Sequence, residues 1–87
     1  EVAAQDLALV GDPPVIKALQ RLSRARQANL LRHWLRLHWQ AGPSEAQLEQ
    51  ALEQIAACTT RGHQIRLKLA SGYLLRAGAG LSYQPPI

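Results

Sequence analysis

Cys58 and His63 are the first pair to test for chemistry, because a thiol and an imidazole in contact make a nucleophile. They straddle a helix end and a loop, and no third group stands by to orient the imidazole, so an inert Cys58 is the simpler reading. His33 and His38 fall on different faces of a helix and cannot share a metal ion as an i, i+4 pair would. His38 lies on an apolar stripe and reads as a satisfied boundary histidine. Glu45, Glu49 and Glu53 recur at helical spacing and form a solvated ridge rather than an acid–base pair. Gly78-Ala79-Gly80 opens no helix and is followed by no lysine, so it is not a phosphate loop. Catalysis is not legible in this chain.

Anion binding is. Between Pro13 and Ser44 there is no Asp or Glu, while Lys17, Arg21, Arg24, Arg26, Arg32 and Arg36 all lie in that window. Arg26, Asn29, Arg32 and Arg36 fall on the side of a helix opposite its apolar stripe and form a candidate phosphate-facing set. Arg outnumbers Lys, and the guanidinium fork suits bidentate phosphate contacts. Arg66, Lys68 and Arg76 form a second candidate patch, near Arg61. Trp39 and Tyr73 have rings able to stack on a base, although packing between helix and sheet is the plainer use for them. Net charge is +4 and the isoelectric point about 10.0, consistent with a nucleic acid or another anionic partner.

The elements that must position these groups follow from periodicity. Residues 1–12 read as the tail of a preceding element. Asp12-Pro13-Pro14 reads as a capped helix start, with a short helix over about 13–23. Ser23 caps a second helix over about 24–41, whose stripe runs through Gln27, Leu30, Leu31, Trp34, Leu35 and His38 and which stops at Gly42-Pro43. Ser44 and Gln47 make a capping box for a third, over about 44–57, burying Leu48, Ala51, Leu52, Ile55 and Ala56. The period then becomes two, from Gln64 to Leu69. A return strand runs from Tyr73 to Arg76, and a last one from Leu81 to Tyr83. A three-residue loop, Ala70 to Gly72 with Gly72 left-handed, would pair Leu69 with Tyr73 and Leu67 with Leu75. That register gathers Arg66, Lys68 and Arg76 on the opposite face. The expected fold is α+β: a small domain of three main helices with a C-terminal three-stranded antiparallel β meander, spanning residues 1–87 as one unit.

The 87 residues suffice for one small core. The chain lacks Met and begins at Glu1, so it reads as part of a longer protein. A single Cys excludes an internal disulfide and fits a cytoplasmic setting, and no apolar run is long enough to span a membrane.

Three blocks carry a resemblance. They are Leu22-Ser23-x-Ala25-Arg26-x-Ala28-Asn29-Leu30-Leu31-Arg32-x-Trp34-Leu35, Gly42-Pro43-Ser44 with its Leu48/Leu52/Ile55 helix, and Gly72-Tyr73-x-Leu75-Arg76 followed by Leu81-x-Tyr83. In this order they resemble the substrate-binding domain of the bacterial tRNA(Ile)-lysidine synthetases, over about residues 15–84. The resemblance implies an ATP-dependent ligase that joins lysine to C2 of the wobble cytidine in a CAU anticodon. It implies ATP and Mg in an N-terminal catalytic domain with an SGGxDS loop, which this sequence does not contain. It implies a non-catalytic, tRNA-holding role for this domain, with tRNA(Ile) and the catalytic domain as partners and a homodimer as one arrangement. By position, Arg26, Asn29, Arg32 and Arg76 match polar sites of the pattern; Gln27 and Ala77-Gly78 replace residues that are often basic or aromatic there. Two other readings stand beside it. One is a docking domain, using the acidic third helix and the basic second helix as complementary faces. The other is a DNA-binding helical module with a wing-like hairpin.

Overall fold

A computed structural model describes residues 2–59 and 63–85, with side chains from residue 4 onward. The elements are α1 (Val2–Val10), α2 (Ile16–Leu19), α3 (Arg24–Trp39), α4 (Glu45–Ala57), β1 (Arg66–Leu69), β2 (Gly72–Ala77) and β3 (Gly80–Gln84). The α+β expectation holds, with strand order β1-β2-β3 and both pairings antiparallel.

α3 is the spine. Ser23 Oγ accepts the Arg26 N–H at its start, and Gln40 closes its end in the left-handed region at φ 52°. The helix therefore stops at Trp39, before the Gly42-Pro43 pair that was expected to end it. Leu30, Leu31, Trp34 and Leu35 are buried, as their spacing requires. Each such leucine contributes about 1.5–3 kcal/mol of apolar transfer. α4 keeps its capping box: Ser44 Oγ accepts from the Gln47 N–H while Gln47 Oε1 accepts from the Ser44 N–H. The same Gln47 Oε1 accepts the Ala70 N–H at 3.0 Å, which ties the β1–β2 turn to the start of α4.

Residues 2–10 are helical, with Leu7 and Val10 in the core. The segment after them needs correction. The expected 13–23 helix is only α2, four residues long and begun by Val15 without a side-chain cap. The cause is the sheet. Pro14 O accepts from Leu81 N, Ile16 N donates to Ala79 O, and Val15 bridges Gly80, so this stretch is held extended. Asp12 caps nothing and instead turns its carboxylate toward α3: Trp34 Nε1 donates to Oδ1 at 3.0 Å, and His38 Nε2 lies 2.5 Å from Oδ2. A one-turn helix also removes the first half of the helix-turn-helix reading.

The hairpin register is shifted by one residue from expectation. Leu69 pairs with Gly72, Leu67 with Leu74 and Arg66 with Leu75 across a two-residue turn. Ala70, at φ 54°, supplies the left-handed residue, not Gly72. Gly72 is a glycine for another reason. A Cβ there would lie 2.3 Å from Gln84 O and 2.6 Å from the Tyr83 hydroxyl. That hydroxyl is itself committed, donating to Leu69 O at 3.0 Å. Gly72→Ala is thus expected to cost about 1–3 kcal/mol by forcing β2 and β3 apart. Denaturant melts check this; an unchanged midpoint contradicts the close approach.

Candidate nucleic-acid interface

The helix that is acid-free in sequence is not acid-free in space. Acids from flanking segments reach each of its first arginines. Arg24 Nη2 meets Glu49 Oε2 at 2.7 Å, and Arg32 Nη2 pairs with Glu45 Oε1. All four of these side chains are about a third or more exposed, so each pair contributes well under about 1 kcal/mol. Arg32 Nη1 also donates to Asn29 Oδ1 at 3.3 Å. Two acids of the α4 ridge and two arginines of α3 therefore meet within the domain, while Glu53 forms no ion pair among the described residues.

Arg26 differs. Its Nε donates to Asp6 Oδ2 at 3.0 Å and its Nη2 to Oδ1, a bidentate fork between α1 and α3. Asp6 is only 1% exposed. The hydrogen bonds and charge of Arg26 hold its carboxyl below the usual carboxylate value against the opposing push of burial, and the same contact raises the guanidinium. Sequence reading assigned Asp6 to a tail and missed the pair, because the partners are 20 residues apart. Arg36 is exposed and has no acid partner among the described residues.

The register shift redistributes the second patch. Arg66 and Lys68 project with Tyr73 and Leu75 from the solvent side of the sheet, whereas Arg76 shares the other side with Leu74. The expected grouping of Arg66, Lys68 and Arg76 is thus corrected. Arg76 donates through Nε to Gly78 O and through Nη1 to His63 O, tying the lead-in of β1 to the β2–β3 turn. On the solvent side, the Arg66 guanidinium carbon lies 5.7 Å from the Tyr73 ring centroid and Lys68 sits directly across from Tyr73. Tyr73 is 42% exposed. After Glu53 the chain carries no acid at all, so no carboxylate of the β region competes for these cations. Arg61 lies outside the described residues.

The remaining candidates have structural employment. Cys58 is buried and unpaired, and His63 Nε2 faces Gln54 Oε1 at 3.3 Å rather than the thiol. Trp39 stands edge-on to Trp34, with centroids 5.0 Å apart, and tilts against Tyr83 at 4.9 Å, so it packs between helix and sheet. Among the described residues no group of three His, Cys, Asp or Glu side chains is placed to hold a metal ion. No described helix is long and apolar enough to cross a membrane.

Comparison with known proteins identifies the family. The family model described as the TilS substrate binding domain matches residues 15–80. The tRNA(Ile)-lysidine synthase of Polaromonas naphthalenivorans (strain CJ2) is 69% identical over 83 residues, covering 95% of this chain and 25% of that protein. The chain thus spans about a quarter of the length of that relative. No solved structure matches. With its three sequence blocks placed on α3, α4 and the β meander and the family model covering residues 15–80, the chain belongs to the TilS substrate binding domain family.

Proposed function

We propose that this domain holds tRNA(Ile) for a cytoplasmic tRNA(Ile)-lysidine synthase whose chemistry takes place in a separate catalytic domain. The observation that carries this reading is the pair Arg66 and Lys68, exposed on an acid-free sheet face, while three of the α3 arginines are engaged by carboxylates. The function is positioning. Arg66, Lys68 and Arg36 contact phosphates, which orient the tRNA without reading its sequence. Arg32 and Asn29 stand beside them at the solvent surface, and the Arg32–Glu45 pair is weak enough to exchange for a phosphate. The wobble cytidine, lysine, ATP and Mg belong to the catalytic domain. The sequence has no phosphate loop, the described residues hold no group of three His, Cys, Asp or Glu side chains placed for a metal ion, and the ligation is assigned to the catalytic domain.

The test is salt dependence of tRNA(Ile) binding by the full-length protein. Arg66→Gln with Lys68→Gln is expected to weaken binding about equally for all tRNA sequences and to lower the log–log salt slope by roughly one per cation removed. ATP binding is expected to be unchanged. An unaltered affinity and slope at low and moderate salt would overturn the reading.

A further inference from the structure

We propose that the solvent face of the β meander is a stacking platform for an unpaired RNA base, with Tyr73 as the ring that carries it. This deepens the tRNA-holding reading and rests on it.

Tyr73 is not part of the core, and its one ring contact among the described residues is the Arg66 guanidinium, 5.7 Å from the centroid. It projects away from the core side of the sheet, where Leu69, Leu74, Leu81 and Tyr83 are buried. Its hydroxyl makes no hydrogen bond among the described residues, in contrast to the Tyr83 hydroxyl, which is buried and bonded to Leu69 O. An exposed aromatic on an antiparallel sheet offers a π-face that any base can use, which is how sheet surfaces bind single-stranded RNA.

Its neighbours suit a nucleotide. Arg66 stands over the ring at 5.7 Å and Lys68 lies directly opposite on β1, so two cations stand beside the ring to meet the phosphates of a stacked nucleotide. Gln84 lies directly opposite on β3 and Ser82 next to it on the same face, giving polar groups of both kinds for a base edge. None of these positions is acidic. With strands about 4.8 Å apart, a three-stranded face has room for one or two bases, not a long tract. An A-form duplex presents no free base face, so the platform selects unpaired nucleotides such as those of a loop.

The experiment measures the full-length protein against tRNA(Ile), a single-stranded RNA decamer containing 2-aminopurine, and a blunt RNA duplex of equal length. Tyr73→Ala is expected to weaken decamer binding about five- to a hundredfold, to leave its salt slope unchanged, and to abolish quenching of 2-aminopurine. Tyr73→Phe is expected to retain wild-type behaviour, since stacking uses the ring and not the hydroxyl. Duplex affinity is expected to be the same in all three proteins. Wild-type decamer binding and quenching by Tyr73→Ala would overturn the platform, as would an equal loss on the duplex. If Arg66→Gln with Lys68→Gln still lowers the salt slope in that event, the phosphate-holding role stands and the platform alone falls. If it does not, both fall.

Discussion

Replacing Trp34 with alanine is expected to remove about 3–5 kcal/mol of folding stability, the largest effect of any single side chain in this domain. At roughly 0.05–0.15 kcal/mol per residue, a chain of this length has only about 4–13 kcal/mol to lose. The ring is 1% exposed, at the centre of the core built by α3, α4 and the sheet. It also supplies the edge-on partner for Trp39, which in turn rests on Tyr83. Its Nε1 donates to Asp12 Oδ1, so it fastens the α1–α2 connection to α3. Truncation leaves a cavity that three separate elements would have to close. Trp34→Phe separates the two contributions. It keeps most of the packing and loses the hydrogen bond to a carboxylate that water can reach, at a cost of about 1–2 kcal/mol. Thermal melts check both, with an expected fall in Tm of roughly 20 °C for the alanine variant. A fall of only a few degrees would show that Trp34 is not the keystone of this core.

Arg26→Ala is the second large expected loss, roughly 10 °C in Tm, because it strands the buried Asp6 carboxylate. A surface arginine making only a phosphate contact would cost almost nothing. The pH dependence identifies the cause. Arg26 lowers the Asp6 pKa below its ordinary 3.8 in the folded state, so the wild-type pair stabilises the fold fully above about pH 4. That stability is lost as pH falls through the lowered folded value. In Arg26→Ala, burial without a partner pushes the Asp6 carboxyl upward, so its penalty is largest at neutral pH and relaxes on acidification. The difference in Tm between the two proteins is therefore expected to be greatest near neutrality and to shrink as pH falls, first through the raised carboxyl of the variant and then, below about pH 4, through the lowered carboxyl of the wild type. The double replacement Asp6→Leu with Arg26→Met is expected to recover most of the stability, since an apolar pair removes the stranded charge. If the double variant folds but binds tRNA(Ile) many-fold more weakly, Arg26 also touches RNA. Unchanged binding would make it a clasp between α1 and α3 alone.

Helix α3, its Ser23 cap, the capping box of α4 and the change of period before β1 were all legible locally. Each depends on neighbours within about four residues, the range over which helix caps and side-chain periodicity act. The α2 region misled for a related reason. Asp12-Pro13-Pro14 has the local chemistry of a helix start, but hydrogen bonds from Leu81 and to Ala79 hold the following residues extended. Those partners are more than sixty positions away along the chain. The hairpin misled because Gly72 fits two explanations, a left-handed turn residue or a close contact, and only the approach of Tyr83 and Gln84 decides between them.

By itself the sequence determined the α+β class, the apolar stripe of α3, the segregation of charge and the family, because these rest on residue order and short-range spacing. Tertiary structure alone decided which cations remain available. Asp6, Glu45 and Glu49 come from segments far along the chain to meet Arg26, Arg32 and Arg24, a meeting no local pattern encodes. One residue of strand register then put Arg66 and Lys68 beside Tyr73 and turned Arg76 to the other face, because side chains alternate across a sheet. Of the cations that the sequence concentrates in α3, Arg36 keeps no acid partner among the described residues, and the sheet adds Arg66 and Lys68.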